Sequence, residues 1–117
     1  VLGAVVAVDH HTFGLAVLDQ RSAGSVTEVV VAGRGGVPTD ASAVVLNVTV
    51  TGAQAAGFVT VYPCGTPRPN ASNLNFATGS TIPNLVIAKV GAGGKVCLFT
   101  SAGTHLIADV NGYFLAS

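Results

Sequence analysis

Hydrophobic and polar residues alternate along much of this chain, and glycine, proline, asparagine and serine interrupt the alternation every several residues. In residues 43–51 the even-numbered positions are apolar, whereas the odd-numbered positions from Asn47 onward are polar. Because successive side chains of a β-strand point to opposite faces, this segment predicts a strand with one buried and one wet face. No segment has the apolar spacing of an amphipathic helix. We expect helix to be absent or limited to a single turn.

The same alternation predicts nine short strands over residues 1–8, 13–18, 25–32, 43–51, 57–62, 73–76, 82–90, 95–100 and 105–115. Antiparallel strands with short connections cover their apolar faces when two sheets pack together. We therefore predict an all-β fold, a two-sheet antiparallel β-sandwich of about eight or nine short strands, as a single domain over residues 1–117.

Two connections have a distinctive composition. Residues 63–69 contain three prolines and one glycine, which excludes a central strand. Residues 91–95 are rich in glycine, but no helix and no Lys-Ser or Lys-Thr pair follows them, so a phosphate-binding loop is excluded. We predict a β-hairpin turn there.

Charge is scarce, because Asp, Glu, Lys and Arg make up 9% of the residues and the net charge is zero. Ordinary soluble domains contain about 25% of these residues. Five Lys and Arg residues cannot form the basic surface that a nucleic-acid-binding protein needs. No apolar run approaches the roughly 20 residues of a membrane-spanning helix. A chain this neutral and apolar is expected to bury surface against further copies of itself or against neighbouring domains.

The two cysteines, Cys64 and Cys97, are far apart in the chain and each lies beside a predicted strand. This arrangement favours a disulfide between strands over a CxxC metal or redox motif. The chain begins at Val1 and has no methionine, so we expect a processed product or a segment of a longer protein. Together these features predict an exported protein at the cell surface or outside the cell.

Residues 17–114 contain an ordered series of blocks, namely VLDQR, VTEVVVAGRGGVPTDASAVVLNVTVT, GFVTVYPCGTPRPNASNLNF, GSTIPNLVIAKVGAGGKVCLFT and HLIADVNGYF. The series resembles a repeat or accessory domain of exported bacterial surface proteins, whose pattern contains VLDTR, GVPxxAxAVVLNVT, YPxG, SNLNF and DVxGYF blocks. The resemblance implies secretion and modularity, with no established catalytic role. Gln20 stands where that family usually has Thr, and residues 1–16 lie outside the pattern.

The first predicted strand is apolar on both faces and contains Val1, Leu2, Val5, Val6 and Val8. A strand of this kind has to be covered on both faces. It either completes the sheet of its own chain or pairs with the edge of a neighbouring copy, as donated strands do. In the second case these five residues form an assembly strand.

The polar residues give little sign of catalysis or metal binding. Asp9, His10 and His11 are the densest cluster, but neighbouring residues of a strand point to opposite faces, so a polar loop is favoured over a metal site. The nucleophile motif Gly-x-Ser-x-Gly is missing. We predict a protein that is not an enzyme and that has no cofactor. The asparagines at 70, 73, 75 and 84 are expected to fix irregular loops by hydrogen bonds.

One polar row remains as a possible ligand face. By alternation, His105, Asp109, Asn111 and Tyr113 share one face of the last predicted strand. Such a row is typical of a sheet face exposed to solvent. The alternative is a sugar-binding face, in which Asp109 and Asn111 bond to hydroxyl groups and Tyr113 stacks on the pyranose ring.

The sequence therefore leads to two functional hypotheses. The first is a non-catalytic extracellular structural module that self-associates into a surface fibre, sheath or stalk. The alternative is a carbohydrate-binding or cell-wall-binding module attached to a secreted hydrolase, with cell-surface polysaccharide as its partner. Aromatic residues make up only 6% of the chain and tryptophan is missing, which disfavours the alternative because sugar sites usually use aromatic rings.

Overall fold

The computed structural model describes residues 2–7, 15–34 and 36–116. Its strands are β1 (Leu2–Ala7), β2 (Leu15–Arg21), β3 (Ser25–Val30), β4 (Ala41–Thr51), β5 (Gly57–Pro63), β6 (Leu74–Phe76), β7 (Ile82–Lys89), β8 (Lys95–Thr100) and β9 (Thr104–Ala116). The helical content of the described residues is one 3-10 turn, Ala92–Gly94. Those residues include no helix with the length and apolarity needed to cross a membrane. The predicted all-β class is confirmed.

The first sheet contains five antiparallel strands in the order β1-β9-β4-β7, with β2 also paired to β9. β1 pairs with the C-terminal half of β9, between Gly112 and Ala116, and β2 pairs with the N-terminal half, between Thr104 and Asp109. β1 and β2 therefore lie end to end along one edge of this sheet, and β7 forms the other edge.

The second sheet contains four antiparallel strands in the order β3-β8-β5-β6. β3 lies next to β2, and β6 lies next to β7. The two sheets thus stack as the predicted β-sandwich, with β3 and β7 at opposite edges.

The core lies between the two sheets and confirms the alternation predicted for residues 43–51. The even-numbered side chains of β4, from Val44 to Val50, are fully buried, whereas the odd-numbered ones from Val45 to Thr51 are half-buried on the outer face. Their partners in the core come from both sheets and include Val29, Val59, Val61, Leu74, Phe76, Val86, Val96, Leu98, Leu106 and Val110. Burial of these apolar side chains is the main force that stabilises the fold.

The predicted hairpin at residues 91–95 is wrong. β7 pairs with β4 in the first sheet, whereas β8 pairs with β3 and β5 in the second. The 3-10 turn therefore carries the chain from one sheet to the other. Side chains from the inner faces of β7 and β8 then meet in the core between the sheets. The backbone bonds that fix the turn include those from Gly91 N–H to the Lys95 carbonyl at 2.9 Å and from Ala92 N–H to the Cys64 carbonyl at 2.8 Å.

Candidate functional site

The outer face of the second sheet carries the predicted disulfide. Cys64 follows β5, Cys97 lies in the middle of β8, and the two are bonded with their Cα atoms 5.1 Å apart. Tyr62 is the cross-strand partner of Cys97, and it packs with both cysteines beneath the surface. The disulfide ties the start of residues 64–73, hereafter the capping loop, to the sheet.

The capping loop folds over the aromatic side chains of this face. Phe99 on β8 and Phe58 on β5 have ring centroids 5.8 Å apart. The Arg68 guanidinium carbon lies 3.6 Å from the centroid of the Phe99 ring, which is a cation–π contact. In the described part of the chain, Arg68 forms no salt bridge. Arg68 is exposed, and its guanidinium forms no hydrogen bond within the described residues.

Hydrogen bonds fix the end of the capping loop. The Thr60 hydroxyl donates to the Ala71 carbonyl at 2.6 Å, and the Val61 N–H donates to Asn73 Oδ1 at 2.7 Å. The side-chain amide of Asn84, on β7 of the first sheet, donates to the Asn73 carbonyl. Asn73 and Asn84 thus fix irregular backbone as predicted.

A pocket of about 270 Å³ opens between the capping loop and the second sheet. Its lining, hereafter the loop pocket, consists of Phe58, Arg68, Pro69, Asn70, Ala71, Ser72 and Asn75. Asn70 and Asn75 differ from the loop-fixing role predicted for them, because their side chains have no hydrogen-bond partner among the described residues and are exposed in this pocket. Arg68 is the only charged side chain in the lining.

The row predicted as a ligand face is broken in the first sheet. Val45 and Leu46 of β4 pair with Gly112 and Val110 of β9, so Asn111 is an extra residue that forms a β-bulge. One extra residue reverses the side-chain alternation beyond it. Tyr113 therefore packs against the core instead of sharing a face with His105 and Asp109.

The remaining polar residues of that row already have partners. His105, Asp109 and Asn111 are half-buried, and each has an interaction within the molecule. His105 Nδ1 accepts a hydrogen bond from the Gln20 N–H at 2.9 Å. Gln20 has a positive φ of 28°. The geometry thus gives His105 a structural role at the irregularity in β2, and sugar binding by this row stays a prediction.

Exposed aliphatic side chains define two further surfaces. Leu85 and Ile87 on the outer face of β7 are each 59% exposed, and the half-buried Val45 lies opposite Ile87 on β4. We name these three residues the β7 patch. Val26 and Val30 on β3 are 49% and 41% exposed and are named the β3 patch. The exposed side chains of the two patches lie on edge strands, one in each sheet, and Val45 lies on the neighbouring strand β4.

The N-terminal candidates are only partly described. The backbone of β1 pairs with β9 of the same chain, and its register places Val5 opposite Phe114 and Val6 opposite Tyr113. Val1, Val8 and the Asp9, His10 and His11 cluster lie outside the described residues. Among the residues that are described, no group of three or more His, Cys, Asp or Glu side chains is placed to hold a metal ion.

Sequence reasoning missed the loop pocket because its walls come from three separate segments. Phe58 and Tyr62 are four residues apart on β5, so alternation alone places both rings on the same face of the strand. A proline-rich loop that contains an arginine and follows a disulfide-bonded cysteine was the second available signal.

No family model, no curated protein and no solved structure matches this chain. The resemblance to an accessory domain of exported bacterial proteins therefore stays a prediction.

Proposed function

We propose that this protein is a non-catalytic extracellular structural module that self-associates into a fibre, sheath or stalk. The observation that carries the proposal is the placement of exposed aliphatic side chains. Among the residues whose side chains the structure describes, 20–34 and 36–115, five large aliphatic side chains are exposed. Four of them, Val26, Val30, Leu85 and Ile87, lie on the edge strands β3 and β7. Such patches on a soluble protein are typical of interaction surfaces.

The β7 patch supports contact through the first sheet. Leu85 and Ile87 are neighbours on one face of an eight-residue edge strand. An edge strand with exposed aliphatic side chains is a template for association, although Pro83 and Lys89 in the same strand limit uncontrolled strand pairing. Packing of this face against another copy removes the aliphatic surface from water.

The β3 patch offers a second, different surface at the opposite edge of the sandwich. Glu28 lies between Val26 and Val30 on the same face, and its carboxylate is paired with Lys95 Nζ at 3.0 Å. This pairing partly neutralises the charge beside the two valines.

Two unlike patches at opposite edges favour head-to-tail association. In that arrangement the β7 patch of one copy packs against the β3 patch of the next, and an interface of this kind produces open filaments unless the rotation closes a ring. The zero net charge gives copies no long-range repulsion to overcome. The disulfide supports an oxidising location such as the cell surface, since disulfides are rare in the cytosol.

The test compares four proteins by light scattering after gel filtration over a concentration series. The wild type is expected to form assemblies whose mass rises with concentration. Leu85→Thr/Ile87→Thr and Val26→Thr/Val30→Thr each remove one patch while keeping strand-favouring residues. Either variant alone is expected to remain monomeric. Ala55→Ser/Ala56→Ser, at exposed positions outside both patches, is the control and is expected to assemble like the wild type.

Mixing the two patch variants tests the head-to-tail arrangement. Each variant keeps the patch that the other lacks, so an equimolar mixture is expected to form dimers and to stop there. Dimers of Val26→Thr/Val30→Thr alone would show instead that two β7 patches pack against each other. A wild type that stays monomeric at every concentration would overturn the proposal of self-association.

The alternative hypothesis, a carbohydrate-binding module, is not supported by the polar row of β9. Tyr113, the residue proposed to stack on a sugar, packs against the core. Ligand binding is better supported by the loop pocket on the opposite sheet.

A further inference from the structure

We propose that the loop pocket binds one sugar residue that bears a carboxylate, such as a uronic acid unit of a polysaccharide. The loop pocket and the β3 patch lie on the same outer face of the second sheet, where Val26 is the cross-strand partner of Phe99. The inference does not require self-association, because the pocket shares no residue with the β3 patch or the β7 patch.

The positive charge of Arg68 favours a negatively charged ligand in the pocket. Arg68 is its only ionisable side chain, and no aspartate or glutamate lines it. The Phe99 ring holds one face of the guanidinium, so the N–H groups at its rim remain in position to donate to a ligand. Two parallel N–H groups of arginine match the two oxygens of a carboxylate.

The remaining lining fits a sugar ring better than a bare anion. Phe58 is half-buried and provides an aromatic wall on which the apolar face of a pyranose can pack. The side chains of Asn70, Ser72 and Asn75 are exposed and have no partner among the described residues. Amide and hydroxyl groups both donate and accept, which suits the hydroxyl groups of a sugar.

The volume limits the size of the ligand. At about 270 Å³, the pocket lies just below the range of about 300–1,000 Å³ that holds drug-sized molecules. It therefore accommodates a single ring, and the rest of a polysaccharide chain extends along the surface.

The test is a titration followed by ¹⁵N–¹H NMR with the Leu85→Thr/Ile87→Thr protein, which is expected to be monomeric and keeps every residue of the loop pocket. The two matched ligands are a tetramer of galacturonic acid and its methyl ester. The ester keeps every ring and removes the charges. We expect the acidic tetramer to shift the amide signals of residues 58, 68, 70–75 and 99, with a dissociation constant at or below about 1 mM. The ester is expected to bind at least about tenfold more weakly, because it cannot form the charged pair with Arg68.

Two pocket variants and one control variant test whether the ligand binds at the loop pocket. Arg68→Gln removes the charge and is expected to weaken binding about tenfold, whereas Lys89→Gln removes an exposed charge elsewhere and is expected to leave binding unchanged. Phe58→Leu is expected to weaken binding of the tetramer while its spectrum stays that of a folded protein.

Three outcomes would overturn the proposal. The first is the absence of shifts in the pocket with the acidic tetramer at about 10 mM, a concentration well above the expected dissociation constant. The second is equal binding of the methyl ester, which would mean that the charge is not recognised. The third is saturation of the same signals by inorganic phosphate with equal affinity, which would mean that the sugar ring contributes nothing.

Discussion

The Arg68 guanidinium carbon lies 3.6 Å from the centroid of the Phe99 ring, which joins the capping loop to the central strand β8. This contact predicts a measurable coupling between the two residues. In a double-mutant cycle with Arg68→Ala and Phe99→Leu, we expect a coupling energy of about 0.5–1 kcal/mol in urea unfolding, the value typical of exposed cation–π pairs. Strict additivity of the two changes would mean that the stacking does not stabilise the loop.

The disulfide is expected to stabilise the fold by restricting the unfolded chain. Its two cysteines are 33 residues apart, and closing a loop of this length contributes about 4 kcal/mol in the chain-entropy model. We expect Cys64→Ala/Cys97→Ala to lose most of this free energy of unfolding, as measured by urea denaturation. Amide hydrogens of the capping loop should also exchange faster. Reduction of the wild type serves as the comparison, and an unchanged urea midpoint would contradict the prediction.

Gly91 is expected to tolerate no side chain, because a Cβ atom there would overlap the backbone of Cys64. The Gly91 φ of −101° suits any residue, so the constraint is space alone. We expect Gly91→Ala to reduce the free energy of unfolding by about 2–3 kcal/mol. Gly79→Ala is the matched control, since Gly79 has open space but a φ of +74°, and only the backbone strain of about 1 kcal/mol applies. Equal costs at the two positions would show that the close approach is not limiting.

Asn73 precedes β6, and its side chain accepts a hydrogen bond from β5 beyond the end of the β5–β6 pairing. Its Oδ1 accepts from the Val61 N–H at 2.7 Å. Asn73→Ala leaves that N–H without a partner, and we expect a loss of about 1–3 kcal/mol in thermal or urea unfolding. Asn73→Asp keeps the acceptor and should retain most of the stability. If the aspartate variant were as unstable as the alanine variant, the acceptor would not be the important feature.

The N-terminal strand separates two hypotheses left open by the sequence. Because β1 pairs with β9 of its own chain, we expect Val5→Asp/Val6→Asp to lower the thermal midpoint by several degrees, as a loss of about 1–2 kcal/mol would in a domain of this size. A variant that keeps its thermal midpoint but no longer assembles would identify β1 as the assembly strand instead.

The positions of the strands could be predicted from the sequence, because the alternation of apolar and polar residues within each strand is a local pattern. Each predicted strand overlaps the observed one, and β8 matches its prediction of residues 95–100 at both ends. The alternation of β4 correctly separated its core side from its outer side. Which strand pairs with which is not local information, and the turn at Ala92–Gly94 shows this, since it joins two sheets although its glycines are typical of a hairpin.

The candidate sites were harder to predict for two physical reasons. The single extra residue Asn111 reverses the parity of β9, so alternation counted through it placed Tyr113 on the wrong face. The loop pocket joins Phe58, Arg68 and Asn75 from separate segments, and their proximity depends on the sheet order and on the path of the capping loop.

The capping loop is attached at its start by the Cys64–Cys97 disulfide and near its end by the hydrogen bonds of Thr60, Asn73 and Asn84. Its conformational entropy is therefore given up when the protein folds, before any ligand arrives. A ligand bound at the proposed site would therefore gain contacts without having to order the backbone that supplies them.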